Sequence, residues 1–112
     1  MATGKIIKLV DGGSNSNGLY MRFENGIQIC SGSFSVSVGA NAYAEYTLYY
    51  PKAFKSGGAV APVCTPVIWS DPRNISVVAR GAGEAQATIR VGNTASGTNN
   101  VTVSWIACGF WK

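Results

Sequence analysis

Along residues 99–112, apolar and polar side chains change places at almost every step. Val101, Val103, Trp105, Ala107 and Gly109 alternate with Thr102, Ser104, Ile106, Cys108 and Phe110. A period of two, clear through Trp105, predicts a β-strand with two unlike faces, and its β-branched and aromatic residues suit a pleated, half-buried surface. So apolar a segment would fray and aggregate unless it paired inside a sheet or was buried against another subunit. The pattern therefore makes this strand an organising element of the fold, and a candidate element of an oligomer.

Upstream, the alternation recurs in short stretches. Leu19-Tyr20-Met21-Arg22-Phe23 meets Glu24-Asn25-Gly26, and Asn-Gly is a strong hairpin signal. Residues 27–38 then read as one long strand, bent near Gly32. Gly39-Ala40-Asn41 is a turn, and residues 44–50 form an aromatic-rich strand that ends at Pro51. After a crossover at 52–58, residues 59–69 make a strand interrupted by Pro62 and Pro66, and Ser70-Asp71-Pro72-Arg73-Asn74 is a polar loop. Residues 75–80, 88–91 and 101–110 are the last three strands, with Gly-rich and Asn-rich turns between them. Short strands at this spacing describe an antiparallel sandwich or barrel. The first eighteen residues read differently: a short strand at 5–10, then Asp11-Gly12-Gly13-Ser14-Asn15-Ser16-Asn17-Gly18, which is turn and linker chemistry. The expected division is a lead-in over 1–18 and a β domain over 19–112.

Composition sharpens this picture. At 112 residues the chain is one domain, 46% apolar and only 12% charged, about half the charge of a typical soluble domain. A small monomer of that composition would expose sticky surface, which favours a homo-oligomer. The net charge of +4 is scattered as single Lys and Arg residues, with no basic run, so nucleic acid is not an expected partner. The three cysteines, Cys30, Cys64 and Cys108, show no CxxC spacing, and there is no histidine, which argues against a disulfide framework and against zinc. Cys30 and Cys108 lie in apolar strands and are expected as buried free thiols. No apolar run approaches the roughly 18 residues of a membrane span. Residues 1–10 do not read as a signal peptide, so the chain is expected to be made in the cytoplasm or cut from a larger protein.

Several motifs dissolve on inspection. Gly81-Ala82-Gly83-Glu84 opens like a dinucleotide fingerprint, but it lacks the third glycine and leads into another strand, so a hairpin turn is expected. Asn74-Ile75-Ser76 and Asn100-Val101-Thr102 match glycosylation sequons, a triplet that Asn- and Ser-rich chains produce by chance. Catalysis lacks its usual base, and the five carboxylates, Asp11, Glu24, Glu45, Asp71 and Glu84, are scattered and form no acid/base pair. Neither an enzyme nor a cofactor is expected. The aromatic residues offer more. Tyr43, Tyr46, Tyr49 and Tyr50 cluster within eight positions, and Trp69 borders the loop carrying Asp71, Arg73 and Asn74. Aromatic faces beside Asn, Asp and Arg suit a sugar, which stacks its C–H face on a ring and takes hydrogen bonds at its hydroxyls.

Three segments in order carry a family resemblance. Tyr20 to Gly32, with its aromatic-basic strand, Asn-Gly turn and apolar strand, resembles the opening of C-terminal domains of phage and prophage tail fibres. Tyr50-Pro51-Lys52-Ala53-Phe54 is similar to that family's crossover, and Val103-Ser104-Trp105-Ile106-Ala107-Cys108-Gly109 to its closing strand. These domains are similar to H-type lectins, which are six-stranded antiparallel sandwiches that assemble as trimers. The resemblance implies an all-β, antiparallel β-sandwich of six to seven strands, homotrimeric, with residues 1–18 joining a fibre shaft. It further implies a tail-fibre tip on a virion, made in the bacterial cytoplasm, that binds a bacterial surface receptor, often a glycan, without catalysis or membrane insertion. Cys108 stands where the lectins often carry a polar residue or histidine, so no lectin sugar contact is transferred there. The expected ligand residues are Trp69, Asp71, Arg73 and Asn74, then Tyr49 and Tyr50. The alternative role is a trimerisation cap with no ligand of its own.

Overall fold

The computed structural model describes residues 6–112. Eight strands follow in chain order: β1 (Leu9–Asn15), β2 (Gly18–Phe23), β3 (Ile27–Val38), β4 (Ala42–Tyr49), β5 (Val63–Val67), β6 (Ile75–Ala82), β7 (Gln86–Asn93) and β8 (Asn99–Phe110), with a 3-10 turn at Pro72–Asn74. All pairings are antiparallel, and the strands form a larger sheet in the order β1-β2-β3-β8-β5 and a smaller one in the order β4-β7-β6. The all-β antiparallel architecture expected from the sequence is thus present, with one strand more than the upper expectation.

The alternation of the last strand sets the larger sheet. β8 pairs with β3 in unbroken register from Ile27 opposite Phe110 to Val38 opposite Asn99. Its inward residues Val101, Val103, Trp105 and Ala107 are buried against Ile89, Val91 and Leu48 of the smaller sheet and against Cys30 and Phe34 of β3. Trp105 presses its indole over Gly32, where a β-carbon would come within 2.9 Å of the ring, so this glycine makes room for the tryptophan. β5 lies at the sheet edge, which is why it tolerates Pro66 opposite Val103. The expected hairpin turn at residues 83–85 joins β6 to β7, closed by Gly83 N–H donating to Gln86 O.

Three expectations are corrected. The segment read as linker, residues 11–15, is most of β1, which pairs with β2 from Leu9 opposite Phe23 to Asn15 opposite Gly18. An edge strand needs backbone partners rather than apolar side chains, so its Gly and Ser content hid it. The Asn15 side chain accepts from Asn17 N and donates to Pro51 O, closing a hairpin at Gly18, whose φ of 134° suits glycine alone. The strand expected over 5–10 is replaced by one starting at Leu9, and Lys5 lies outside the described residues. Cys108 is exposed on the outer face of the larger sheet, because in strict alternation it shares the parity of Ile106 and Phe110; Cys30 is buried and Cys64 half-buried. Burial pushes the Cys30 and Cys64 thiols up, keeping them protonated and unreactive.

That outer face is divided along its length. Toward one end, Leu19, Ile29, Val63, Ile106 and Phe110 come together by register, with Leu9 beyond them on the edge strand. Leu9, Leu19, Val63, Ile106 and Phe110 are all substantially exposed. Toward the other end, Ser33, Ser35, Ser104, Thr102 and Thr65 give a mostly polar surface, with Val67 exposed at its edge, in which Ser35 and Thr102 hydroxyls bond at 3.0 Å.

Candidate functional site

The end of the sandwich where β3, β5 and β7 finish carries three loops: 39–41, 68–74 and 94–98. One buried side chain ties two of them to the two sheets. Asn93 is 2% exposed; its Nδ2 donates to Val38 O, Gly39 O and Gly97 O at 3.1, 3.1 and 2.9 Å, and its Oδ1 accepts from Ala95 N and Asn99 Nδ2. The third loop joins through Thr94, whose N–H donates to Asn74 O and whose hydroxyl bonds Asn74 Oδ1 at 3.0 Å. Sequence reasoning missed Asn93. Its signal was present: Ala87, Ile89, Val91 and Asn93 share one parity, and a polar residue on an inward parity needs buried partners.

On this scaffold stand four of the expected site residues. Trp69 is fully exposed. Asp71 caps the 3-10 turn by accepting from Arg73 N, and it accepts from the Arg73 guanidinium as well, with Nη2 to Oδ2 at 2.6 Å. The Arg73 guanidinium holds the Asp71 carboxyl below the usual carboxylate range, and Asp71 in turn raises Arg73. Asn74 is half-buried and engaged with Thr94. The result is an exposed indole beside a planar, self-neutralised ion pair on a braced loop. An indole supplies a stacking face, and the pair retains donors and acceptors at its rim for hydroxyl groups.

Tyr49 and Tyr50 are elsewhere. Tyr49 pairs with Gln86 at the far end of β4, six residues from Tyr43, or about 20 Å at a strand rise of ~3.3 Å per residue. It is exposed, but the cleft it borders with Ser16 and Asn17 holds only about 30 Å³, room for water rather than a sugar ring. Tyr50 is 5% exposed; its ring packs edge-on to Phe54 and tilted against Trp105, and its hydroxyl donates to Val60 O. It is a core pillar, and it offers no face to a ligand. Tyr46, partly exposed, stacks one ring face on Phe34 at 4.0 Å.

Burial, with smaller contributions from the Cys30 and Cys64 thiols, pushes the Tyr50 hydroxyl from 10.0 up to about 12. Above pH 10 the unfolded chain ionises this group while the folded chain keeps its proton. The associated stability is complete below pH 10 and is lost as pH rises to about 12. Tyr50→Phe is expected to cost about 1–2 kcal/mol at pH 7 by orphaning Val60 O, and to flatten the alkaline limb. Denaturant titrations at a series of pH values between 8 and 12 check both, and an unchanged limb would remove Tyr50 as its source.

The five carboxylates have separate partners: Asp11 lies 4.0 Å from Lys52, Glu24 accepts from Lys8 N, Glu45 pairs with Arg90, Asp71 with Arg73, and Glu84 accepts from Gly57 N. Among the described residues no group of three His, Cys, Asp or Glu side chains is placed to hold a metal ion.

No protein-family model matches this chain. No curated protein matches it either. Solved structures do. A C-terminal fragment of the P. aeruginosa R1 pyocin fibre matches 90% of this chain with a TM-score of 0.68 at 16% identity, and this chain spans 28% of that one. An N-truncated R1-type pyocin tail fibre matches 90% with a TM-score of 0.70 at 15% identity, and here the chain spans 87% of its neighbour. A C-terminal fragment of the P. aeruginosa R2 pyocin fibre matches 89% with a TM-score of 0.53 at 24% identity, over 26% of that chain. At these identities the likeness is one of fold: the chain shares its antiparallel two-sheet architecture with domains of pyocin tail fibres.

Proposed function

We propose that this chain is the receptor-binding end of a phage-like tail fibre, a homotrimer that adheres without catalysis to a glycan on the bacterial surface. The observation that carries the reading is Trp69, a fully exposed indole on a loop braced through Asn74 and Thr94, beside the Asp71–Arg73 pair. Exposing a whole indole to water is unfavourable, and a loop held this firmly exposes it for a partner. The fold shared with pyocin tail fibres supports the fibre context. The apolar end of the larger sheet's outer face fits a second copy of the chain, and three weak sites on one trimer gain affinity by avidity. Residues 1–18 would lead from the shaft, with β1 as part of that lead-in.

The test measures the mass of the purified chain in solution and its binding to bacterial surface glycans and whole cells. Trp69→Ala and Arg73→Ala are each expected to lower saturable binding about tenfold or more with the oligomer intact. The apolar face favours a second reading, a trimerisation cap with no ligand. Under that reading the loop variants adsorb like the parent chain, or the parent binds nothing. Cleavage of a polysaccharide would overturn both.

A further inference from the structure

A groove on the smaller sheet, reaching the 39–41 and 94–98 loops at one end, has features that the fold alone does not require. It runs across β4, β7 and β6 and is lined by Asn41, Tyr43, Ser76, Arg90, Gly92 and Thr94, with a volume of about 350 Å³. Small-ligand sites occupy roughly 300–1,000 Å³. Register places Tyr43 and Ser76 on either side of Gly92, and Glu45 and Val78 on either side of Arg90. Gly92 has no positive φ, so the backbone does not demand glycine; a β-carbon there would come 2.5 Å from Ser76 Oγ. The glycine makes room for the Ser76 hydroxyl, and the shallow notch over the middle strand is flanked by that hydroxyl and the Tyr43 ring.

Arg90 forms the floor next to this notch. Its guanidinium carbon lies 3.9 Å from the Tyr43 ring centroid, and one Nη2 N–H donates to Glu45 Oε1. That is one of five N–H donors on the group. Nε is buried with no hydrogen-bond partner, and the side chain as a whole keeps 25% of its surface exposed. Tyr43, 60% exposed, offers the ring area that Arg90 does not cover.

We propose that this groove is a second ligand site, and that its ligand is a pyranose bearing a carboxylate. The sugar's C–H face stacks on Tyr43, its carboxylate accepts from the Arg90 Nη N–H groups that Glu45 leaves free, and its hydroxyls reach Ser76 and Asn41. A carboxylate takes charge-assisted hydrogen bonds from the guanidinium N–H groups that Glu45 leaves free, which a neutral sugar does not. A second copy of the chain is the poorer occupant, because closing this surface against another copy would bury the Glu45 carboxylate, a residue type that interface cores exclude. The site is independent of Trp69, and it rests on the adhesion reading only for the source of its ligand.

The test titrates the full chain, in its solution assembly, with trigalacturonic acid and with N-acetylneuraminic acid, using galactotriose as the neutral control. Saturable binding of either acid, at least about tenfold tighter than galactotriose, is expected. Which acid binds tells a uronate source from a nonulosonate one. Tyr43→Leu and Arg90→Gln should each weaken that binding about tenfold, while Trp69→Ala leaves it within about twofold. If Arg90→Gln does not fold, Tyr43→Leu, at an exposed position, carries the comparison. Failure of both acids to bind, equal binding of the neutral sugar, or indifference to Tyr43→Leu overturns the proposal. So does loss of binding in Trp69→Ala, which places the acid at the loop, or a change of solution mass in Tyr43→Leu, which places this surface between copies. Cell binding that survives any of these failures leaves the adhesion reading standing.

Discussion

In the proposed trimer, Ile106→Glu is expected to break the assembly into single chains without unfolding them. Ile106 lies within the apolar end of the larger sheet's outer face, opposite Val63 on β5 and Ser31 on β3. Two residues along, Cys108 faces Ile29, and at the strand end Phe110 faces Ile27. Beyond β3, Leu19 and Met21 extend the surface onto β2. The Ile106 side chain is half exposed, so in the isolated chain a glutamate there stays hydrated and costs within about 0.5 kcal/mol. Buried between copies with no cation opposite, the same carboxylate costs several kcal/mol. About 4 kcal/mol is a thousandfold in the association constant. Sedimentation equilibrium or light scattering reads the result, with Thr47→Glu on the outer face of the smaller sheet as the control that should remain assembled. An Ile106→Glu chain that keeps the parent mass would move the interface elsewhere, and a monomeric parent would remove the trimer from the proposal.

Asn93→Ala is expected to lower stability by about 3 kcal/mol, or roughly 10–20 °C in Tm for a domain of this size. The substitution orphans three carbonyls, an amide N–H and the Asn99 side chain around a nearly sealed position. Asn93→Asp separates hydrogen bonding from packing. The carboxylate fills the same volume and keeps the two acceptor contacts, but it turns an oxygen toward Val38 O, Gly39 O and Gly97 O in place of a donor. Asp should therefore cost at least as much as Ala. Denaturant melts of both variants check this ordering, and a loss below about 1 kcal/mol would show that water substitutes for the amide. Because the loops around Trp69 lean on the same network, either variant should also weaken cell binding more than its loss of folded chain explains.

The paired strands were the most legible part of the sequence. β3 and β8 announce themselves because one face of each is buried and one is not, so a period of two is enforced at every step from Phe34 to Val38 and from Val101 to Ala107. The hairpin at residues 24–26 was legible for a local reason, since Gly26 adopts φ of 96° and only a short list of residues does so readily. β1 was not legible, because it meets one neighbour and buries almost nothing, leaving Asp11, Gly12 and Gly13 free to look like a loop.

The candidate site was legible only in its composition. Trp69, Asp71, Arg73 and Asn74 are close in sequence, and local turn geometry kept them together. Tyr49 and Tyr50 are adjacent in sequence, but Tyr49 ends β4 on its outward parity while Tyr50, one residue past the strand, turns inward to support Trp105. The approach of Arg90 to Tyr43 and Glu45 spans more than forty residues and depends on the β4–β7 register.

Alternation and turn chemistry, which are properties of neighbours along the chain, by themselves determined the all-β class, the order of the main strands and the inward parity of the core. The tertiary structure alone decided which loops share an end, that a single buried asparagine holds them, and that an arginine and a tyrosine far apart in sequence line one groove. Those are facts of register and sheet order, set by which long-range pairings bury the most surface while leaving the fewest polar groups unpaired.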